Sequence, residues 1–162
     1  MTTYDRIDEA VIDAPAAAVW EALVAELQGA KEWWVPHNTF ELLSGAADRV
    51  GGRVAVTVHT KGSDNGGLKL RFTQRTVAVD PGRRLDVAYV DGVFRGTSVF
   101  RLEPLADGRT RISMHFVGTP SGFLKILSKV ADLGAEHSKG ALSAFESLGR
   151  KLAAPVGAGA RG

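Results

Sequence analysis

From Arg53 to Gly118 the chain repeats one device: a short run of alternating apolar and polar residues, a turn, then another such run. Alternation at period two places one set of side chains on each face of a strand, which suits a half-buried sheet and not a helix. GRVAVTVHT sets Val54, Val56 and Val58 on one face, and LKLRFTQRTVAV sets Leu68, Leu70 and Phe72 against Lys69, Arg71 and Thr73. RLDVAYV presents Leu85, Val87 and Tyr89 together. VFRGTSVFRLEPL opposes Phe94, Gly96, Ser98, Phe100 and Leu102 to Arg95, Thr97, Arg101 and Glu103. TRISMHFVG opposes Ile112, Met114 and Phe116 to Arg111, Ser113 and His115. The intervening SDNGG, DPGR, DG and ADGR are turn formers. With TFELL as a short leading strand, these runs predict a six-strand antiparallel meander, apolar on one face and wet on the other. His59 and His115 fall on the wet alternation and are expected to be exposed, with Arg71, Arg95, Arg101 and Arg111 on the outer face.

An apolar sheet face needs a cover. Before the meander, Tyr4 to Asp13 reads as a strand with Ile7, Val11 and Ile12 as its apolar members. IDAPAAAVWEALVAEL then opens a helix with Pro15 in its first turn, an apolar face of Val19, Trp20, Leu23 and Leu27, and Gly29 as its stop. KEWW is read as a second short helix, ended by Pro36. After the meander, Thr119 reads as an N-cap and Pro120 as the first residue of a long helix running to about Leu152. Its stripe is Phe123, Leu127, Val130, Gly134, His137, Ala141, Phe145, Leu148 and Leu152. The expected architecture is α+β: a curved seven-stranded antiparallel sheet wrapped around a long C-terminal helix, with two short helices between strands 1 and 2. One domain is expected over residues 1–153, and a disordered tail over 154–162.

Several function classes are unpromising. A net charge of +2 does not describe a nucleic-acid binder. The chain has no cysteine, so thiolate chemistry and disulfides are excluded. No run approaches the roughly 18 apolar residues of a membrane span, and MTTYDRIDEA has no apolar signal core, so a cytoplasmic protein without stable membrane insertion is expected. HExxH, GxSxG, phosphate-loop and dinucleotide fingerprints are missing, and the four histidines lie far apart. No metal and no cofactor are expected. The Ala-, Gly- and Arg-rich composition is compatible with a bacterial source.

IDAPAAAVWEALV, Ile12 to Val24, resembles the strand, Ala-Pro, Val-Trp entry of the START/Bet v 1-like superfamily, also called SRPBCC or helix-grip, in its polyketide cyclase/dehydrase-like branch. GTSVFRLEPLADGRTRISMHF is similar to the last hairpin of that branch. The resemblance covers roughly residues 4 to 153. It implies a cavity between helix and sheet. The branch shares no catalytic motif, so no catalytic residues carry over.

The candidate site is therefore sought on the inward faces. Small residues in the middle of the helix stripe, Gly134 and Ala141, leave room, although close helix–sheet approach would use them equally well. His137 lies on the same stripe, where an imidazole is costly unless bonded. It reads as a general acid/base or polar anchor, or else as a boundary histidine satisfied by a carbonyl or water. A helix rolled by one position would present Ser138 instead. Tyr89, Ser98 and Met114 are on the inward set. Asp5, Asp8, Glu9 and Glu41 are the carboxylates nearest the expected cavity wall, without an evident partner. Trp33 and Trp34 cannot both enter one core, so one ring is expected to plug it and the other to roof a cavity mouth near His37. Both are candidate ligand-binding residues; Trp34 at the cavity and Trp33 toward the outer shell is the preferred arrangement, with the reverse left open. Three functions stay open. One is binding of a small hydrophobic, aromatic or polyketide-like molecule, with cofactor-free cyclisation or dehydration if His137 is catalytic. The second is a non-catalytic lipid or hydrophobic-metabolite carrier. The third is a protein-interaction module resembling the Hsp90-activator branch. A monomer or homodimer suits all three.

Overall fold

Each alternating run becomes a strand in the computed structural model of the chain, which describes residues 3–60, 68–122, 124–125 and 133–159, with side chains through 153. The order is β1 (Tyr4–Ile12), α1 (Ala16–Leu27), β2 (Asn38–Ser44), β3 (Arg53–His59), β4 (Lys69–Asp80), β5 (Arg84–Gly92), β6 (Phe94–Pro104), β7 (Thr110–Pro120) and α2 (Leu133–Gly159). The seven strands form one antiparallel sheet in the order β1-β7-β6-β5-β4-β3-β2, so the first strand closes against the last. The apolar set of every meander strand turns inward: Val54, Val56, Leu70, Phe72, Leu85, Val87, Phe100, Leu102, Ile112 and Phe116 are all buried. The helix α2 packs chiefly against β1, with Ala141, Ala144, Phe145 and Leu148 buried beneath it. No helix among the described residues is long and apolar enough to cross a membrane.

Curvature has local causes. Register shifts interrupt the β4–β5 ladder between Thr73 and Gln74 and between Thr76 and Ala78, and bulges of this kind bend a strand. Gly96 and Gly118 face each other across β6 and β7. Gly96 has φ +138°, which side-chain-bearing residues rarely adopt, and a Cβ on Gly118 would meet the Phe116 ring. The paired glycines thus let the sheet bend and let that ring fold over it.

The structure corrects four expectations. There is one helix between β1 and β2: KEWW forms bends that lead into a turn at Val35–His37, not a second helix. The physical reason is Glu26, buried at the apolar side of α1. Its carboxylate accepts the backbone N–H groups of Glu32 (2.9 Å), Trp33 (3.2 Å) and Trp34 (2.8 Å), gathering three donors around one anion. Lys31 takes φ 56° to let the chain turn onto it.

The face of β1 is also reversed. Ile7 and Val11 are 64% and 44% exposed, while Asp8 is buried with Ile12. Pairing of Asp8 with Met114 and of Ile12 with Thr110 puts residues 4, 6, 8, 10 and 12 on the inner side. Thr119 and Pro120 belong to β7 rather than to a helix cap, because β7 keeps pairing with β6 out to Pro120 opposite Phe94. At the other end α2 extends to Gly159, past the expected stop near Leu152. Ala153 and Ala154 favour continuation. The stripe positions Phe123, Leu127 and Val130 and the SDNGG turn lie outside the described residues.

Replacing Glu26 by Ala strands three backbone donors and empties a buried site. We expect a loss of about 3 kcal/mol or more of folding stability, read by urea unfolding. A change below about 1 kcal/mol would mean that the turn holds its shape without the carboxylate.

Candidate functional site

Between the concave sheet and α2 lies a cavity of about 380 Å³. That is the size of a small-molecule site. Its wall is mostly aromatic and aliphatic, and two ring clusters form it. Phe72, Tyr89, Phe94 and Phe116 contact one another edge-on or tilted at centroid distances of 5.0 to 5.8 Å. Trp34 meets Phe40, Phe100 and Phe145 edge-on at 5.4 to 6.3 Å. Such rings present apolar faces and weakly positive edges to whatever enters.

The segment from Lys31 to His37 supplies one end of the wall. Trp34 lines the cavity, and Trp33 stacks on it at 5.1 Å. Trp33 itself is buried beneath α1, where its Nε1–H donates to the Ala22 carbonyl at 3.1 Å, so it is a core ring and not part of an outer shell. His37 lines the cavity and shares a 3.3 Å hydrogen bond with Ser143 of α2.

Of the residues singled out from the sequence, Trp34, His37, Tyr89, Met114, His137 and Ala141 are brought together around this space. Trp33, Ser98 and Gly134 are buried but do not line it. Ser98 stands behind the wall and hydrogen-bonds the Tyr89 hydroxyl. Burial raises the Tyr89 pKa above its usual value, with the Ser98 bond opposing, so the phenol stays protonated.

His137 is the most chemically distinctive wall residue. Its ring stacks on Phe116 at 4.0 Å with an interplanar angle of 13°. Its Nδ1 faces Asp8 Oδ2 at 3.8 Å, too far for a hydrogen bond, and neither atom has another partner. Burial, with a smaller contribution from the nearby Arg6 cation on the same strand as Asp8, pushes the imidazole pKa down to about 4. The resting ring is therefore neutral near pH 7. Asp8 is among the carboxylates expected near the cavity wall, but its pairing with His137 was not foreseen because Ile7 and Val11 suggested the wrong inner face; its phase with Ile12 was the available signal.

Other placements differ from the sequence reading. His59 lines the cavity at the end of β3, where its Nε2 bonds Thr39 Oγ1 at 2.9 Å, instead of pointing to solvent. A strand's last residue is released from the alternation that governs its interior. His115 does sit on the outer face, 2.7 Å from Asp5. Glu9 and Glu41 are exposed. Asn38, Thr60, Gln74 and Glu136 also line the cavity and were not anticipated. Gln74 carried a legible signal: it is in phase with Leu70 and Phe72 on the apolar face of β4. No cluster of three metal-ligating side chains occurs among the described residues.

Residues 6–147 match the model of one protein family, described as polyketide cyclase / dehydrase and lipid transport. The chain belongs to that family. With it comes membership of the START/Bet v 1-like superfamily. No curated protein matches the sequence. Among solved structures, protein Ms6760 from Mycobacterium smegmatis is 24% identical, with a TM-score of 0.65 and coverage of 94% of this chain and 92% of that one. The Zhui aromatase/cyclase from Streptomyces sp. R1128 is 19% identical, with a TM-score of 0.64 and coverage of 94% and 98%. A Thermus thermophilus protein, TTHA0849, is 18% identical, with a TM-score of 0.68 and coverage of 93% and 98%. At these identities the likeness is one of fold.

The lowered His137 pKa has a thermodynamic consequence. The unfolded chain takes up the proton near pH 6.5 and the folded chain only near pH 4, so acidification through this window favours unfolding. Stability is expected to fall by up to about 3 kcal/mol across the window, and a His137→Leu variant should lack that part of the slope. Equal slopes for the two proteins would place the His137 pKa near its ordinary value.

Proposed function

We propose that the protein encloses a small hydrophobic molecule, aromatic or polyketide-like, in the cavity between sheet and α2, and that His137 moves a proton on it. The observation that carries this reading is the pairing of an aromatic-walled space with a neutral imidazole whose Nδ1 faces Asp8. Apolar burial supplies affinity. A neutral imidazole can accept a proton at neutral pH, which a protonated one cannot. If Nδ1 carries the ring proton toward Asp8, the Nε2 lone pair is left for the ligand, and the carboxylate would steady the imidazolium once formed.

The chemistry this suits is cofactor-free. Nε2 removes a proton from a carbon beside a carbonyl. The electron pair attacks a second carbonyl carbon of the same folded chain, and a ring closes. Return of the proton and loss of water would complete a dehydrative cyclisation. Confinement would supply the folded pose. The family description, naming cyclases, dehydrases and lipid transport together, supports both this and a carrier function. The name of the Zhui protein points the same way. The unfilled cavity favours both over an interaction module, which could fill it.

Native mass spectrometry of gently purified protein should reveal a co-purified small molecule; a persistently ligand-free protein that also takes up no added aromatic would end the binding reading. For proton transfer, His137→Ala should keep binding while slowing cyclisation of a β-polyketone chain by about 10²- to 10⁴-fold. Unchanged turnover would leave a carrier.

A further inference from the structure

Gln74 is buried to 5% exposure on β4, yet its side-chain amide has no hydrogen-bond partner among the described residues. It lines the cavity. Its N and O are not among the fully enclosed unpartnered atoms, so the amide is open to the cavity, where whatever occupies that space completes its hydrogen bonds. Its position is also specially built. The β4–β5 ladder shifts register between Thr73 and Gln74, where β5 carries Val90 as an extra residue, and the shift sets Gln74 opposite Tyr89. Bulges re-aim side chains in this way beside binding sites. Tyr89 lines the same wall, and its hydroxyl is tied to Ser98. Two hydroxyls share one hydrogen bond, so one O–H proton of the pair is left over; when Ser98 donates, that proton is on Tyr89, whose side chain lines the cavity. The amide and phenol thus form a neutral polar station in a mostly apolar wall.

The rest of the wall says what kind of group the station reads. Among the described residues no Lys or Arg lines the cavity, and Glu136 contributes a negative charge. A carboxylate or phosphate would enter without a counter-ion and against that charge. A carbonyl or hydroxyl would find a donor and an acceptor in Gln74 and a donor in Tyr89.

We infer that Gln74, with Tyr89, is the specificity-determining subsite of the cavity, selecting apolar molecules that carry a neutral hydroxyl or carbonyl oxygen over bare hydrocarbons and over acids. This rests on the ligand-binding reading above and narrows its ligand class. Gln74 takes no part in the proton transfer assigned to His137.

Equilibrium dialysis with 2-naphthol, naphthalene and 2-naphthoate tests it. The protein should bind 2-naphthol about tenfold more tightly than naphthalene, and 2-naphthoate more weakly than 2-naphthol. Gln74→Leu should erase the naphthol preference while leaving naphthalene affinity within about twofold. Because the amide lacks a partner, Gln74→Leu should melt at the same temperature as the parent or higher, with Gln74→Met as the second apolar variant should Leu pack poorly. A naphthol preference that survives both substitutions overturns the assignment and leaves cavity binding intact. A sharp fall in melting temperature in both variants shows a structural partner for the amide and overturns it too. Failure of the parent protein to bind any of the three probes removes the ligand-binding reading and this inference with it.

Discussion

The carboxylate of Glu26 holds the strap that the rest of the site is hung on. Three consecutive N–H groups, from Glu32 to Trp34, converge on it from the chain beyond α1. A charged acceptor makes stronger bonds than a neutral one, and full satisfaction is what makes its burial tolerable. The consequence runs outward in sequence. With the N–H groups pinned, Trp33 is driven under α1 and Trp34 toward the cavity, their rings stacked. The chain then reaches His37, which bonds Ser143, while Lys151 pairs with Glu32. One buried anion thereby links α1, the strap and α2.

Buried polar groups in this protein fall into two kinds, and the difference separates structure from chemistry. Glu26, and Thr76 with its 2.7 Å bond to the Ala47 carbonyl, are satisfied within the fold. Asp8 Oδ2 and His137 Nδ1 are enclosed without a hydrogen-bond partner, and the Gln74 amide, on the cavity wall, has none among the described residues. Groups left unpaired in a dry interior cost stability, and a fold retains them where something else completes them. His137 and Gln74 border the cavity, and Asp8 faces His137 Nδ1 at 3.8 Å. The three come from different elements, β1, β4 and α2, so local sequence context alone does not account for them.

The sheet was legible because period-two patterning needs only neighbouring residues to be read, and the turn-forming sequences mark the strand limits. What escaped were features set by distant partners. KEWW has reasonable helix formers, yet an acceptor on the preceding helix decides its shape. Thr119-Pro120 carries a cap signature, but pairing with Arg95 and Phe94 extends the strand through it. The β1 face was misread because Ile7 and Val11 are apolar, and only register against β7 shows that they point outward. Of the site, the helix stripe yielded His137 and Ala141, and the strand alternation yielded Tyr89 and Met114. Gln74 was hidden because a polar residue in an inward phase is easily passed over as noise, although that mismatch between residue type and phase is what marks a site; Asp8 was placed near the wall, but without its His137 partner.

The origin of the cavity itself is a matter of spacing. Small residues on α2 were expected to leave the room, and Ala141 does border it, but Gly134 does not. Gly140, off that stripe, lies where an added Cβ would touch His37 at 3.9 Å. That is an ordinary van der Waals distance, so a side-chain carbon would fit there and the glycine alone explains neither the approach of the strap nor the hollow interior. The space arises instead because α2 is held near β1 and near the strap while the bulged middle strands curve away. Aromatic rings line that gap without filling it: edge-on contacts brace Phe72, Tyr89 and Phe94 against their neighbours at 5 to 6 Å, while Phe116 alone of that cluster also stacks on His137 of the helix. A cavity braced in this way keeps its shape without a ligand, which lowers the ordering cost of binding and suits a site that must hold one molecule in one pose.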